Sequence, residues 1–273
     1  MVDFLYTAGK GLNELIDKPE YVMINILALI FLLFFAYRAA KRFNFTSYGR
    51  IFYLLFLTII FIAGARLFYI LFYPEHEWFR MFEPVLYGFS LFGGLLFATV
   101  ILVATAGIKN LPPGEWLDIN TPGLMGYAAI SKIGCHINGC CFGTPTLMPW
   151  GIPYTEGSRA YQYYIVDALK NLDFQKWQVY SDLIHPVQLY ESILAFLLLI
   201  IAMVLLKRKV MPGSVFLMAA GFYSLGRLGL FYLRAAPDGA PLYHFFPWLY
   251  LAISVISLGI LLIKLMKANE LSI

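Results

Sequence analysis

Apolar runs long enough to cross a lipid bilayer recur along the whole of this 273-residue chain, and they constrain its fold more than any other feature. A span needs roughly 20 mostly apolar residues, because the hydrocarbon core is about 30 Å thick and a helix rises about 1.5 Å per residue. Seven stretches qualify: residues 21–40, 51–73, 87–107, 121–139, 186–206, 212–234 and 246–266. The fourth fits least well, being short, glycine-rich and interrupted by Lys132. Only 13% of residues are charged while 60% are hydrophobic, and mean hydropathy is +0.73. No polar block is left to form a second soluble unit. The expected fold is an all-α integral membrane protein, a single polytopic domain over residues 1–273 with about seven transmembrane helices.

Orientation follows from the placement of Lys and Arg in short loops. Arg38, Lys41, Arg42 and Arg50 flank the first connection, Lys207, Arg208 and Lys209 form another, and Lys264 and Lys267 follow the last span. These segments are expected in the cytoplasm, which puts the N-terminus outside, the C-terminus inside, and the long connection 140–185 outside as a small head. The first apolar run ends in Lys41 and Arg42 and not in a small-residue cleavage site, so it reads as a retained helix. The net charge of +4 is accounted for by these topogenic cations and gives no reason to expect nucleic acid as a partner.

Ionisable residues inside a span cost several kcal/mol and are functional candidates by default. Three cations stand out: Arg66, Lys132 and Arg227. Each falls about seven residues before the outer end of its span, so all three are expected at one depth, roughly 10 Å below the outer surface. Cations so placed repel one another unless an anion joins them. A lipid phosphate is the natural anion there, and the planar fork of Arg suits it. The alternative is pairing with Glu83, Glu191 or Asp238, or snorkelling to the interface. Tyr223, Arg227 and Arg234 fall at i, i+4 and i+11, along one helical face. Gly93, Gly94, Gly134, Gly139 and Gly143 allow close helix approach or bring backbone amides to a ligand.

All three cysteines lie in one segment, GCHINGCC, as Cys135, Cys140 and Cys141 with His136 beside the first. Thiol nucleophile, redox pair, structural disulfide and plain packing are all open readings. One His without a second ligand pair at zinc spacing gives no expectation of a metal. His76, His185 and His244 read as interface histidines. Without a phosphate-binding glycine loop followed by Lys, no nucleotide and no other cofactor is expected. A transporter would show paired broken helices or inverted repeats, and none is visible.

Five blocks, in order, resemble the prolipoprotein diacylglyceryl transferases of the bacterial inner membrane: GARLFYILFY (64–73), GFSLFGGLL (88–96), SKIGCHINGCCFGTPT (131–146), HPVQLYES (185–192) and YSLGRLGLFYLRAAPD (223–238). The resemblance implies transfer of a diacylglyceryl group from phosphatidylglycerol to the cysteine thiol of a prolipoprotein signal peptide, among membrane lipids. Arg227 and Tyr223 match the family's essential arginine and tyrosine, and Gly93, Gly94, Asn138, Gly139 and Gly143 match its pattern. Taken with the placement of the cations, the expected catalytic residues are Arg227, Lys132 and Tyr223, and the expected lipid-phosphate site is Arg66, Lys132, Asn138, Gly93, Gly94, Gly139, Arg227 and Arg234. Several family positions are altered. Phe92 stands where the family has a histidine before the double glycine, Lys132 where it has arginine, Cys135 for an asparagine, and Cys140 and Phe231 for glutamates. His136 is then the nearest replacement base. The alternative implied by these changes is a paralogue that binds an anionic lipid or a partner, or uses its cysteines for another transfer.

Overall fold

The protein is described from a computed structural model covering residues 19–72, 89–153, 160, 163–164, 183–235 and 243–270. Among these residues seven long helices follow one another: α1 Pro19–Arg42, α2 Ser47–Phe72, α3 Leu91–Ile108, α4 Pro113–Asn138, α5 Val187–Lys207, α6 Ser214–Phe231 and α7 Phe246–Glu270. A short 3₁₀ turn, Tyr243–Phe245, precedes α7. His76, Glu83, Asp238 and most of the head segment 140–185 lie outside the described residues.

Six of the helices, all but α4, are long and apolar enough to cross a membrane. They leave large apolar side chains uncovered, among them Trp248 at 68% and Val255 at 62% on α7. A soluble monomer does not expose apolar surface on this scale. The chain is a multi-pass membrane protein.

The fourth helix departs from expectation in an instructive way. It begins at Pro113, not near Thr121, and runs 26 residues, about 39 Å at the usual rise. Pro113 stands in the first turn, where a missing N–H costs nothing. The helix is packed by α1, α3, α5 and α6, and 15 of its residues are buried. A helix surrounded by helices has no need of a lipid-facing apolar stripe, which is why its sequence is the most polar of the seven. Its glycines fit that position. A Cβ on Gly126 would sit 2.0 Å from the Phe31 ring, and one on Gly123 would sit 2.9 Å from Phe35 Cβ.

The sixth helix stops at Phe231, so Arg234 does not share the face of Tyr223 and Arg227. The chain turns there, and Arg234 forms an antiparallel bridge with Gly143, with the Thr144 amide donating to Leu233 O at 2.9 Å and the Ala235 amide to Phe142 O at 3.1 Å. On its other side the same segment meets residues 183–185, where His185 N donates to Thr144 O at 3.0 Å. These bridges tie the end of α4 to the end of α6 and the start of α5.

At the opposite end of the bundle, buried Asp118 of α4 caps α6. Its Oδ2 accepts from Gly213 N at 2.7 Å and its Oδ1 from Phe216 N at 2.8 Å. Free N–H groups at a helix start welcome a carboxylate. Asp118→Ala leaves these donors unbonded, and the expected loss is about 1.5–3 kcal/mol. Unfolding of detergent-solubilised protein by denaturant, with Asp118→Asn falling between the two, checks it.

Candidate functional site

Arg66 lies six residues before the end of α2, Lys132 six before the end of α4 and Arg227 four before the end of α6. All three therefore lie toward the same end of the bundle, and Lys132 and Arg227 meet there on one carboxylate. What the structure adds is the anion. Glu191, on the second turn of α5 and 2% exposed, receives Lys132 Nζ on Oε2 at 2.9 Å. Its Oε1 accepts from Arg227 Nη1 and from the Tyr223 hydroxyl at 2.8 Å. Tyr223 and Arg227 stand one turn apart on α6, so one helical face delivers both donors to one oxygen.

Arg227 is held from a second side. Its Nη2 donates to the Tyr250 hydroxyl at 2.6 Å, and its guanidinium carbon lies 5.1 Å from the centre of that ring. Arg66 is buried at 6%, with its guanidinium 5.7 Å from the centre of the Phe89 ring. The cluster thus draws on four helices, α4, α5, α6 and α7. On α5 the neighbours of Glu191 are fixed as well. Gln188 Nε2 donates to Cys140 O at 2.7 Å and Ser192 Oγ to Ala129 O at 2.8 Å, which locks the start of α5 onto the end of α4.

Gly93 and Gly94 have a packing role here. A Cβ on Gly93 would lie 2.3 Å from Phe68 Cβ, and one on Gly94 2.7 Å from the Phe61 ring. Their amides serve the start of α3, Gly93 N reaching Ser90 Oγ at 3.3 Å and Gly94 N reaching Ser90 O at 3.0 Å. Gly139 ends α4 with φ 68°, a left-handed cap that glycine adopts without strain, and buried Asn138 precedes it. His136, four residues after Lys132, lies on the same face of α4, one turn nearer its end.

Phe92, at the position where the resemblance led to histidine, packs against Phe68, Phe246 and Tyr250 with ring centres 5.4, 6.2 and 5.4 Å away. Phe231 stacks on Tyr243 at 4.6 Å. An apolar aromatic wall therefore flanks the charged cluster on the α7 side.

Cys135, Cys140 and Cys141 carry free thiols in this structure. The turn set by Gly139 and by Cys141, at φ 59°, folds the last two back over the first. Beyond the end of α4, hydrogen bonds from Cys135 and Cys140, with the charges of Arg234 and Lys132, hold the Cys141 thiol well below its usual range despite burial.

Sequence reasoning concentrated on cations and gave Glu191 only a place among alternative partners. The signal was available, since a glutamate opening an apolar span obeys the same rule as a buried lysine. Tyr250 had no signal, being one of 19 tyrosines.

Removing the carboxylate strands two buried cations, and breaking a buried pair costs about 3–5 kcal/mol. Glu191→Ala is expected to lower folded yield and thermal stability by that order. Adding Lys132→Met to Glu191→Gln should recover part of the loss, because one uncompensated charge is removed. Thermal unfolding of the single and double variants in detergent measures both.

A family model described as prolipoprotein diacylglyceryl transferase matches residues 18–266. Among similar proteins, the phosphatidylglycerol–prolipoprotein diacylglyceryl transferase of Tropheryma whipplei is 31% identical over 183 residues, 64% of this chain and 61% of that one. The enzyme of the same name from Clostridium tetani is 27% identical over 152 residues, 56% of this chain and 54% of its own. That of Bifidobacterium adolescentis is 28% identical over 183 residues, covering 63% and 53%. The chain thus matches less than two thirds of the length of these relatives. With a family match running from the start of α1 to within a few residues of the end of α7, and with the cluster around Glu191 built from the blocks that carried the resemblance, the chain belongs to the prolipoprotein diacylglyceryl transferase family.

Proposed function

We propose that this chain transfers the diacylglyceryl group of phosphatidylglycerol to the cysteine thiol of a prolipoprotein signal peptide, in a bacterial inner membrane. The observation that carries the reading is the charge count at Glu191. Two cations, Lys132 and Arg227, meet one carboxylate, so that among the described residues the buried cluster carries one net positive charge.

In the reaction the carbon–oxygen bond between the diacylglyceryl carbon and the phosphate breaks while a carbon–sulfur bond forms. The thiol gives up its proton, and glycerol phosphate leaves with one more negative charge on its phosphate than the diester had. A fixed positive charge at that oxygen favours the transition state over the ground state. Arg227 is the member of the cluster with an accessible edge, its side chain being 12% exposed against 3% for Lys132 and Glu191. In this reading Arg227 meets the phosphate, Lys132 holds Glu191 from behind, and Tyr223 and Tyr250 fix the guanidinium plane. Arg66 adds positive potential from the same end of α2, and Asn138 and Gly139 shape the mouth beside it. His136 is the group assigned to take the thiol proton.

The sidedness proposed from loop charges is consistent with the bundle. Lys41, Arg42, Arg50, Lys207, Arg208, Lys209, Lys264 and Lys267 fall toward the end away from Glu191. That end is assigned to the cytoplasm, and the cluster then faces the outer leaflet, where a signal peptide emerges.

A second reading rests on Phe92. Its ring is engaged with three aromatic neighbours, so the position of the family histidine is built into an apolar wall. In that reading the chain binds an anionic lipid on Arg227 without carrying out the transfer, or uses its cysteines for a different one.

Purified full-length protein in phosphatidylglycerol liposomes, given a peptide with a signal-peptide cysteine, is expected to produce a diacylglyceryl adduct read by mass. Arg227→Ala should lower the rate by about a hundredfold or more, the order seen when one charge-stabilising donor is removed, with Arg227→Lys between. His136→Phe should lower the rate and remove its acid limb against pH. Full activity in folded Arg227→Ala would end the phosphate role, and folded wild-type protein that binds the lipid but forms no adduct would favour the second reading.

A further inference from the structure

The sulfur atoms of Cys135, Cys140 and Cys141 all lie within 4.8 Å of one another. They come from the last turn of α4 and the two residues after its glycine cap, so one short segment supplies all three. Three sulfurs around a trigonal ion at the usual zinc–sulfur distance of ~2.3 Å would be about 4.0 Å apart. The observed spacing needs under about 1 Å of closure. Backbone bonds from Gly139 N to His136 O and from Cys140 N to Cys135 O, both at 3.1 Å, set the turn. Gln188 holds the Cys140 carbonyl from α5. The donor set is therefore held by two helices and not by a free loop.

The chemistry of the set is selective. Thiolates are soft ligands and favour Cu(I) and Zn(II) over Mg(II) or Ca(II). Three thiolates around a zinc ion carry one net negative charge, and the site stands in the field of Lys132 and Arg234. Packing alone does not ask for three adjacent sulfurs, since alanine or serine fills a helix crossing as well.

We propose that Cys135, Cys140 and Cys141 form a three-thiol site for the thiophilic cation Zn(II), beside the Glu191 cluster. Binding displaces the proton of each thiol still protonated and changes no oxidation state. The site and its test are independent of the transfer reaction.

The test uses the full chain in detergent, kept under a thiol-free reductant without oxygen, and titrated with Zn(II) against a chromophoric chelator and with Co(II) as a spectroscopic stand-in. The expected result is one ion per chain, a thiolate-to-cobalt charge-transfer band, and protection of three thiols per chain from a maleimide. Each of Cys135→Ser, Cys140→Ser and Cys141→Ser should weaken binding at least about tenfold, while His244→Gln, distant in the chain, leaves it unchanged. X-ray absorption on the zinc-loaded wild type counts the sulfur ligands directly, so the proposal is decided even if a variant fails to fold. Three sulfurs support it. Two or fewer, full maleimide reactivity with zinc present, or no binding by reduced protein overturns it. An intramolecular disulfide in the isolated protein that yields no zinc binding after reduction overturns it too, and makes the cluster a redox pair.

Discussion

A carboxylate that neutralises buried cations is the constraint on which the rest of this bundle depends. Lys132 and Arg227 come from different helices, and without Glu191 between them their mutual repulsion in a low-dielectric interior would separate α4 from α6. Glu191 brings a third helix into the same point, and the Arg227 bond to Tyr250 brings a fourth. Polar contacts among membrane helices add specificity where lipid gives no hydrophobic drive to associate. The same cluster thus holds the helices in register and, among the described residues, sets two cations against one carboxylate near one end.

The architecture around it divides the labour. Six apolar helices face lipid, while α4 sits among them with small and polar residues on most of its faces. That central position lets α4 carry Lys132 and Asn138 buried among its neighbours. Asp118 anchors its other end by capping α6. An element so fixed at both ends is a rigid support for a site, and rigidity is what electrostatic stabilisation of a developing charge requires.

Much of the fold was legible because its cause is local. Six of the seven expected spans follow directly from runs of apolar residues, and the helix boundaries agree within a few residues except at the start of α4. The start of α4 was missed because its buried residues Trp116, Asp118 and Asn120 are chosen by neighbouring helices and not by lipid. The end of α6 was placed a few residues late because nothing in LFYLR marks a stop; the turn after Phe231 is set by backbone bonds to residues 142–144. That Arg66, Lys132 and Arg227 lie toward the same ends of their helices was readable from counting residues, but the counter-ion shared by Lys132 and Arg227 was not. The glycine pair 93–94, expected either to allow close helix approach or to face a ligand, meets Phe68 and Phe61; which helix they approach is something that spacing along one of them does not reveal.

By itself the sequence determined that this protein lives in a membrane, where its long apolar helices fall, which cations lie within those helices and which family its blocks resemble, because hydropathy, length and residue order are properties of single segments. Only the tertiary structure decided that Glu191 joins Lys132 to Arg227, that Phe92 belongs to an aromatic wall, and that three thiols converge around the turn at Gly139. Those are distances between segments far apart in the chain, or across a left-handed turn. They follow from the packing of all the helices at once, which no single segment encodes.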